Sequence, residues 1–132
     1  MKKLFVEIGA GELLDRLTIL EIKAGRAPAD AQRRLSDELD DLRQRAADAG
    51  LLMAEFASPL SDLRATNEAL WEIEDEIRGC EADRDFSGRF IDLARAVYTQ
   101  NDHRARIKRQ IDERYGSAVA EEKIYRGRSL VP

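Results

Sequence analysis

Apolar residues recur three and four apart through most of this chain, the period of a helix that buries one face. The pattern is simplest between Leu35 and Ala49, where Leu35, Leu39, Leu42, Ala46 and Ala49 form one narrow stripe and the other positions are mostly charged. With about 100° between successive residues, Leu13, Leu17 and Leu20 fall on one side of an earlier helix and Ile19 and Ile22 on the other. A helix apolar on two sides is expected to be central, packed on both. Leu63, Thr66, Leu70, Ile73, Ile77 and Cys80 then mark the buried sector of a third helix. Phe86, Phe90, Leu93, Val97, Ile107, Ile111 and Tyr115 mark that of a fourth.

Turn residues divide these stretches. Gly9-Ala10-Gly11 releases the chain into helix one, about Glu12 to Gly25, and reads as a flexible joint. Pro28 suits the opening of helix two, which runs to about Ala49 and stops at Gly50. Ser58-Pro59 reads as an N-cap followed by a first helical proline, opening a helix that reaches Ala82. After a turn around Asp85, helix four continues to Tyr115 and ends at Gly116. Leu4 to Ile8 has strand-like composition without a second strand, so residues 1–10 are expected to form an extended arm, paired with the tail or a second subunit. The structure of residues 117–132 is left open. The fold class is therefore all-α: one domain, a bundle of about four helices, with helices three and four as a long antiparallel hairpin.

Two of the buried sectors are interrupted by polar residues. Beside the apolar sector of helix three runs a stripe of Asn67, Trp71, Glu74, Arg78 and Glu81. Asn101, Arg104 and Lys108 occupy the apolar sector of helix four, with Arg104 at its centre and Tyr98 alongside. Glu21 sits between the directions of Leu14 and Leu17 in helix one. Burying such groups is costly unless they are paired. Glu21, Asn67, Trp71, Glu74, Arg78, Tyr98, Asn101, Arg104 and Lys108 are the candidate ligand-binding residues. Either they form a cleft in which Arg104 and Lys108 meet an anionic group, or they form an ion-pair network that fixes helix register. Glu21 is expected to be buried against a partner on helix three or four. For Arg104 the expected carboxylates are Glu74 or Glu21.

Charge refines this picture. The net charge is −4, and 36% of residues are charged, which suits helices with wide polar faces. Leu60 to Ala82 is acidic and His103 to Arg114 basic, so an acidic helix is expected beside a basic one. Overall acidity argues against nucleic-acid binding. No apolar run approaches the roughly 20 residues of a membrane span, and Glu7 interrupts the signal-like start. No membrane is expected and the cytoplasm is the expected location. Cys80 is the only cysteine, which excludes an internal disulfide. Glu12/Asp15, Glu38/Asp41 and Glu72/Asp75 have the spacing of a helical Mg²⁺ pair, but so acidic a chain produces such matches by chance. No metal ligand is assigned, no cofactor is identified, and a metal-dependent nucleotide hydrolase stands third among the readings. His103, the only histidine, points outward.

Three blocks carry a resemblance: Gly11 to Lys23 (GELLDRLTILEIK), Asn67 to Arg78 (NEALWEIEDEIR) and Phe90 to Lys108 (FIDLARAVYTQNDHRARIK). Together they resemble an uncharacterised bacterial family of short helical proteins, a domain of unknown function. The resemblance implies no activity. It implies a context, near glycosyltransferases and surface-polysaccharide enzymes, which directs the expected ligand toward a nucleotide sugar or sugar phosphate. The rival expectation is a non-catalytic interaction or homodimerisation module, and whether the protein is an enzyme is left open.

Overall fold

A computed structural model describes residues 1–124. Its elements are α1 (Ala10–Arg26), α2 (Ala29–Asp48), a 3₁₀ turn (Ala54–Phe56), α3 (Ala57–Ala82) and α4 (Gly88–Tyr115). No strand occurs among the described residues. Part of the tail, residues 125–132, lies outside them.

The helix termini explain why the chain turns where it does. Gly50 adopts φ +80° after α2, a conformation in which glycine carries no Cβ penalty. Gly50 N donates to Ala47 O and Leu51 N to Ala46 O, while the Leu51 side chain drops into the core. Gly116 ends α4 in the same left-handed region, and Gly116 N donates to Asp112 O. Between α3 and α4 it is Arg84 that takes the left-handed position, φ +53°, without a glycine's freedom. The expected Ser58 cap is not formed. The 3₁₀ turn runs directly into α3, placing Pro59 within the first helical turn, where a missing N–H leaves no helical acceptor unpaired.

The two-sided pattern of α1 has the meaning the sequence suggested: α1 packs against α2, α3 and α4. Ala10, Leu14, Leu17, Ala46, Leu51, Phe56, Leu63, Ile107 and Ile111 form the core. Helices α3 and α4 pack along one another as a hairpin joined by residues 83–87. They have 26 and 28 residues against 17 in α1, so the tip of the hairpin outruns its cover. Phe86 and Ile91 are accordingly exposed. Residues 1–9 form no regular secondary structure, with Leu4, Phe5 and Val6 in solvent.

Gly9-Ala10-Gly11 is a close contact rather than a flexible joint. A Cβ on Gly11 would lie 2.4 Å from the Lys108 carbonyl oxygen, and one on Gly9 would lie 2.3 Å from the Val119 carbonyl oxygen. The N–H groups that open α1 are taken by the chain itself: Ala10 N donates to Ser117 Oγ at 3.0 Å and Gly11 N to Asp112 Oδ1 at 2.8 Å. The negative side chain thus sits at the positive end of the helix dipole.

Candidate functional site

The centre of the polar seam is Asp15, buried in the face of α1 that meets the hairpin. Only 2% of its side chain is exposed. Arg104 on α4 grips it through one edge, with Nε 2.8 Å from Oδ1 and Nη2 2.5 Å from Oδ2. Asn67 on α3 donates through Nδ2 to the same Oδ1 at 2.9 Å and to Thr18 Oγ1 at 2.8 Å. Thr18 in turn donates its hydroxyl to the Asp15 carbonyl. A buried carboxylate held by a guanidinium and an amide satisfies the condition that makes such burial tolerable.

One turn further along α4, Lys108 is more enclosed than Arg104, at 8% side-chain exposure. Its Nζ lies 2.8 Å from Glu12 Oε2, 2.9 Å from Glu121 Oε2 and 3.8 Å from Asp15 Oδ2. Burial alone would pull the ammonium's pKa down. The bonds to Glu12 and Glu121 and the field of Asp15 outweigh it, leaving Lys108 above the ordinary lysine value. Burial likewise pushes the Glu12 carboxyl up, but its bonds to Lys108 and Arg16 prevail and hold it below the usual value. The hydrogen bond to Asp15 raises Arg104 further.

Two clefts flank this network. One, of about 470 Å³, runs between α1, α3 and α4, and among its walls are Asn67, Trp71, Glu74, Arg78, Asn101 and Arg104. The other, of about 330 Å³, includes Tyr98, Asn101, Arg104, Lys108 and Glu121. Asn101 and Arg104 stand in both. Eight of the nine sequence candidates therefore meet around Arg104. Glu21 does not. It lines neither cleft and pairs instead with Arg64 of α3 at 2.9 Å and with Arg43 of α2 at 3.8 Å, at 20% side-chain exposure. Its partner on helix three holds, but it is only partly buried, and its place in the seam is corrected.

The partner of Arg104 is a second correction: Asp15, not Glu74 or Glu21, neutralises it. Asp15 entered the sequence reading only as half of a Glu-x-x-Asp match. The signal that finds it is the second face of α1, for Ile22, Thr18, Asp15 and Gly11 continue one stripe at spacings of four, three and four. Glu121, Asp112 and Asp102 were also missed. Asp102 and Asp112 are buried, and Asp102 pairs with Lys123 at 2.7 Å. The acidic α3 lies beside the basic α4 as expected, yet the ion pairs do not run along the hairpin. Arg104 and Lys108 bind the carboxylates of α1, Arg114 donates to the Glu55 carbonyl, and Arg89 and Glu76 approach only to 3.8 Å.

The Glu12/Asp15 pair has thus been turned onto two cations. No group of three histidine, cysteine, aspartate or glutamate side chains able to hold a metal ion occurs among the described residues. Trp71 carries the Arg26 guanidinium 5.3 Å from its ring centroid, and Arg26 is held there by Glu72 at 2.5 Å. His103 is exposed. No described helix is long and apolar enough to cross a membrane.

No curated protein and no solved structure matches the chain. A family match, in contrast, covers nearly all of it, including the linker before α3 and the tail that the three sequence blocks left out. From residue 4 to residue 132 the chain matches, and so belongs to, the family of unknown function DUF6165.

Proposed function

We propose that the protein binds a small, hydroxyl-bearing anionic metabolite in the larger cleft, of the class of sugar phosphates and nucleotide sugars. The observation that carries this reading is the divided use of the Arg104 guanidinium. Asp15 takes the Nε–Nη2 edge and Asn101 Oδ1 accepts from Nη1 at 3.4 Å. Of five N–H groups, two, on Nη1 and Nη2, remain for an oxyanion, on a fork already oriented by its carboxylate. That preorganisation lowers the cost of binding. The side chain is 27% exposed, so it is open to the cleft yet not free in solvent.

The other walls suit the rest of such a ligand. Arg78 supplies a second cation, Glu74 can accept from hydroxyls, Asn101 can accept from or donate to them, and Trp71 offers an apolar surface. Glu74 and Asp75 set against Arg78 and Arg104 favour a molecule with one anionic end over a polyanion. The family resemblance to proteins from a bacterial surface-polysaccharide context guides the choice of probes, and a cytoplasmic site is where such activated sugars would be met. A second reading, a structural seam in an interaction or dimerisation module, is supported by the enclosure of Lys108 among three carboxylates.

Thermal-shift and calorimetric titration with sugar phosphates and nucleotide sugars, using the parent sugars as controls, tests the two. Binding of phosphate-bearing compounds alone, weakened tenfold or more by Arg78→Met with unchanged stability, supports the cleft. No binding by any of them, together with a dimer in sedimentation, supports the module.

A further inference from the structure

Residues 117–124 do not leave the bundle after α4. They turn at Gly116 and run back along it. Ser117 Oγ accepts from Ala10 N, Glu121 N donates to Asp112 Oδ2 at 2.6 Å, and Lys123 reaches Asp102. Arg109 Nε donates to the Glu121 carbonyl at 3.4 Å. These contacts are polar. Val119 and Ile124 are exposed, and no apolar side chain of the segment is buried. A segment tied by hydrogen bonds and ion pairs, with no apolar anchor among the described residues, opens at a free energy well below that of global unfolding.

What the segment delivers is the Glu121 carboxylate, placed on Lys108 in the wall of the smaller cleft beside Arg104. The charge balance makes this carboxylate the dispensable one. For the two enclosed cations, Glu12 and Asp15 already match Lys108 and Arg104, two charges against two, at 2.8 Å and 2.5 Å. Arg16, the other partner of Glu12, is exposed and its charge is met by solvent. Removing Asp15 would strand a guanidinium, whereas removing Glu121 leaves a balanced set. A carboxylate that is surplus to the buried network, and that rides on a weakly anchored strap, occupies its position as a ligand would.

We propose that Lys108 and Arg104 form an anion subsite which Glu121 fills in the unliganded protein. A phosphate monoester or carboxylate takes over that position and releases the strap 117–124. The inference rests on the ligand-binding reading above, because Asn101 and Arg104 line both clefts, and it adds a self-inhibiting contact to it. The subsite becomes available only in the strap-open population, so the apparent affinity is reduced by that population's fraction.

The test uses the full chain with inorganic phosphate and glucose 1-phosphate as probes, glucose as the uncharged control, and amide hydrogen exchange of residues 117–124 as a second readout. Glu121→Gln should bind both phosphate probes about tenfold more tightly than the wild type, and its strap amides should exchange faster without any probe. Saturating phosphate should speed the same amides in the wild type. Glu122→Gln, on the exposed neighbour, should change neither. If the probes bind wild type and Glu121→Gln equally, or if they slow exchange of the strap, the displacement is overturned while the cleft reading stands. If they bind neither protein, the subsite and the cleft reading fall together.

Discussion

Arg104 and Asp15, 89 residues apart in sequence, meet edge to edge in the interior, with Nε on Oδ1 and Nη2 on Oδ2. The pair ties α4 to the buried face of α1, and Asn67 brings α3 to the same carboxylate. One interaction therefore sets the register of three helices and at the same time aims a guanidinium into the cleft.

Breaking that pair from either side should be expensive. Arg104→Met leaves an almost fully enclosed carboxylate beside Asn67, and Asp15→Leu leaves a half-buried guanidinium. Each is expected to cost about 3 kcal/mol in urea unfolding. Asp15→Leu combined with Arg104→Met should cost clearly less than the two single losses together, since neither charge is stranded. Strict additivity in the double-mutant cycle would contradict a direct pair.

Gly11 lets the backbones of α1 and α4 touch. Gly11→Ala places a methyl group 2.4 Å from the Lys108 carbonyl oxygen, which must move with its helix. A loss of about 1–3 kcal/mol is expected, in the range of overpacked interiors. Gly25, with open space around its Cβ position, is the internal control, and Gly25→Ala should not destabilise.

Arg84 pays a conformational penalty at the end of α3 that glycine would not. Left-handed backbone costs a non-glycine residue roughly 1 kcal/mol, so Arg84→Gly should stabilise the protein by about that amount. Calorimetry should show a rise in Tm, and an unchanged or lower Tm would point to an unrecognised role for the arginine side chain.

Acid should weaken the seam in a defined window. The Glu12 carboxyl titrates below its reference of 4.5 because Lys108 and Arg16 hold its charged form against the opposing effect of burial. The native state then binds fewer protons than the unfolded chain. The contribution of Glu12 is fully present above 4.5 and is lost as the pH falls through its lower folded value. Lys108 has the opposite sign: its contribution is complete below 10.5 and disappears as the pH rises through its higher folded value. Glu12→Gln should flatten the acid limb of a stability–pH profile, and an unaltered acid limb would mean that Glu12 does not couple to folding.

The helical period and the glycines at the helix ends were sufficient to read four helices, a central α1 and a hairpin of α3 and α4, because those signals depend on neighbours three or four residues away. The same local periodicity exposed Asn101, Arg104 and Lys108 as polar groups in an apolar sector and Asn67 in the stripe beside one, since a helix wheel reports which face a residue shares. It could not name their partners. An ion pair between Arg104 and Asp15, or between Lys108 and Glu121, depends on which helix lies opposite and at what height. For α1 the height is set by the glycine contact with Lys108 and by the Asp112 carboxylate on its first turn. Glu21 shows the same division: its position on the wheel gave its inward direction, but only the packing of α1 against α2 and α3 left it partly buried, turned toward Arg43 and Arg64 and away from the cleft. The return of residues 117–124 was beyond local pattern altogether, because a strap held by hydrogen bonds to Ala10 and Asp112 has no periodicity of its own.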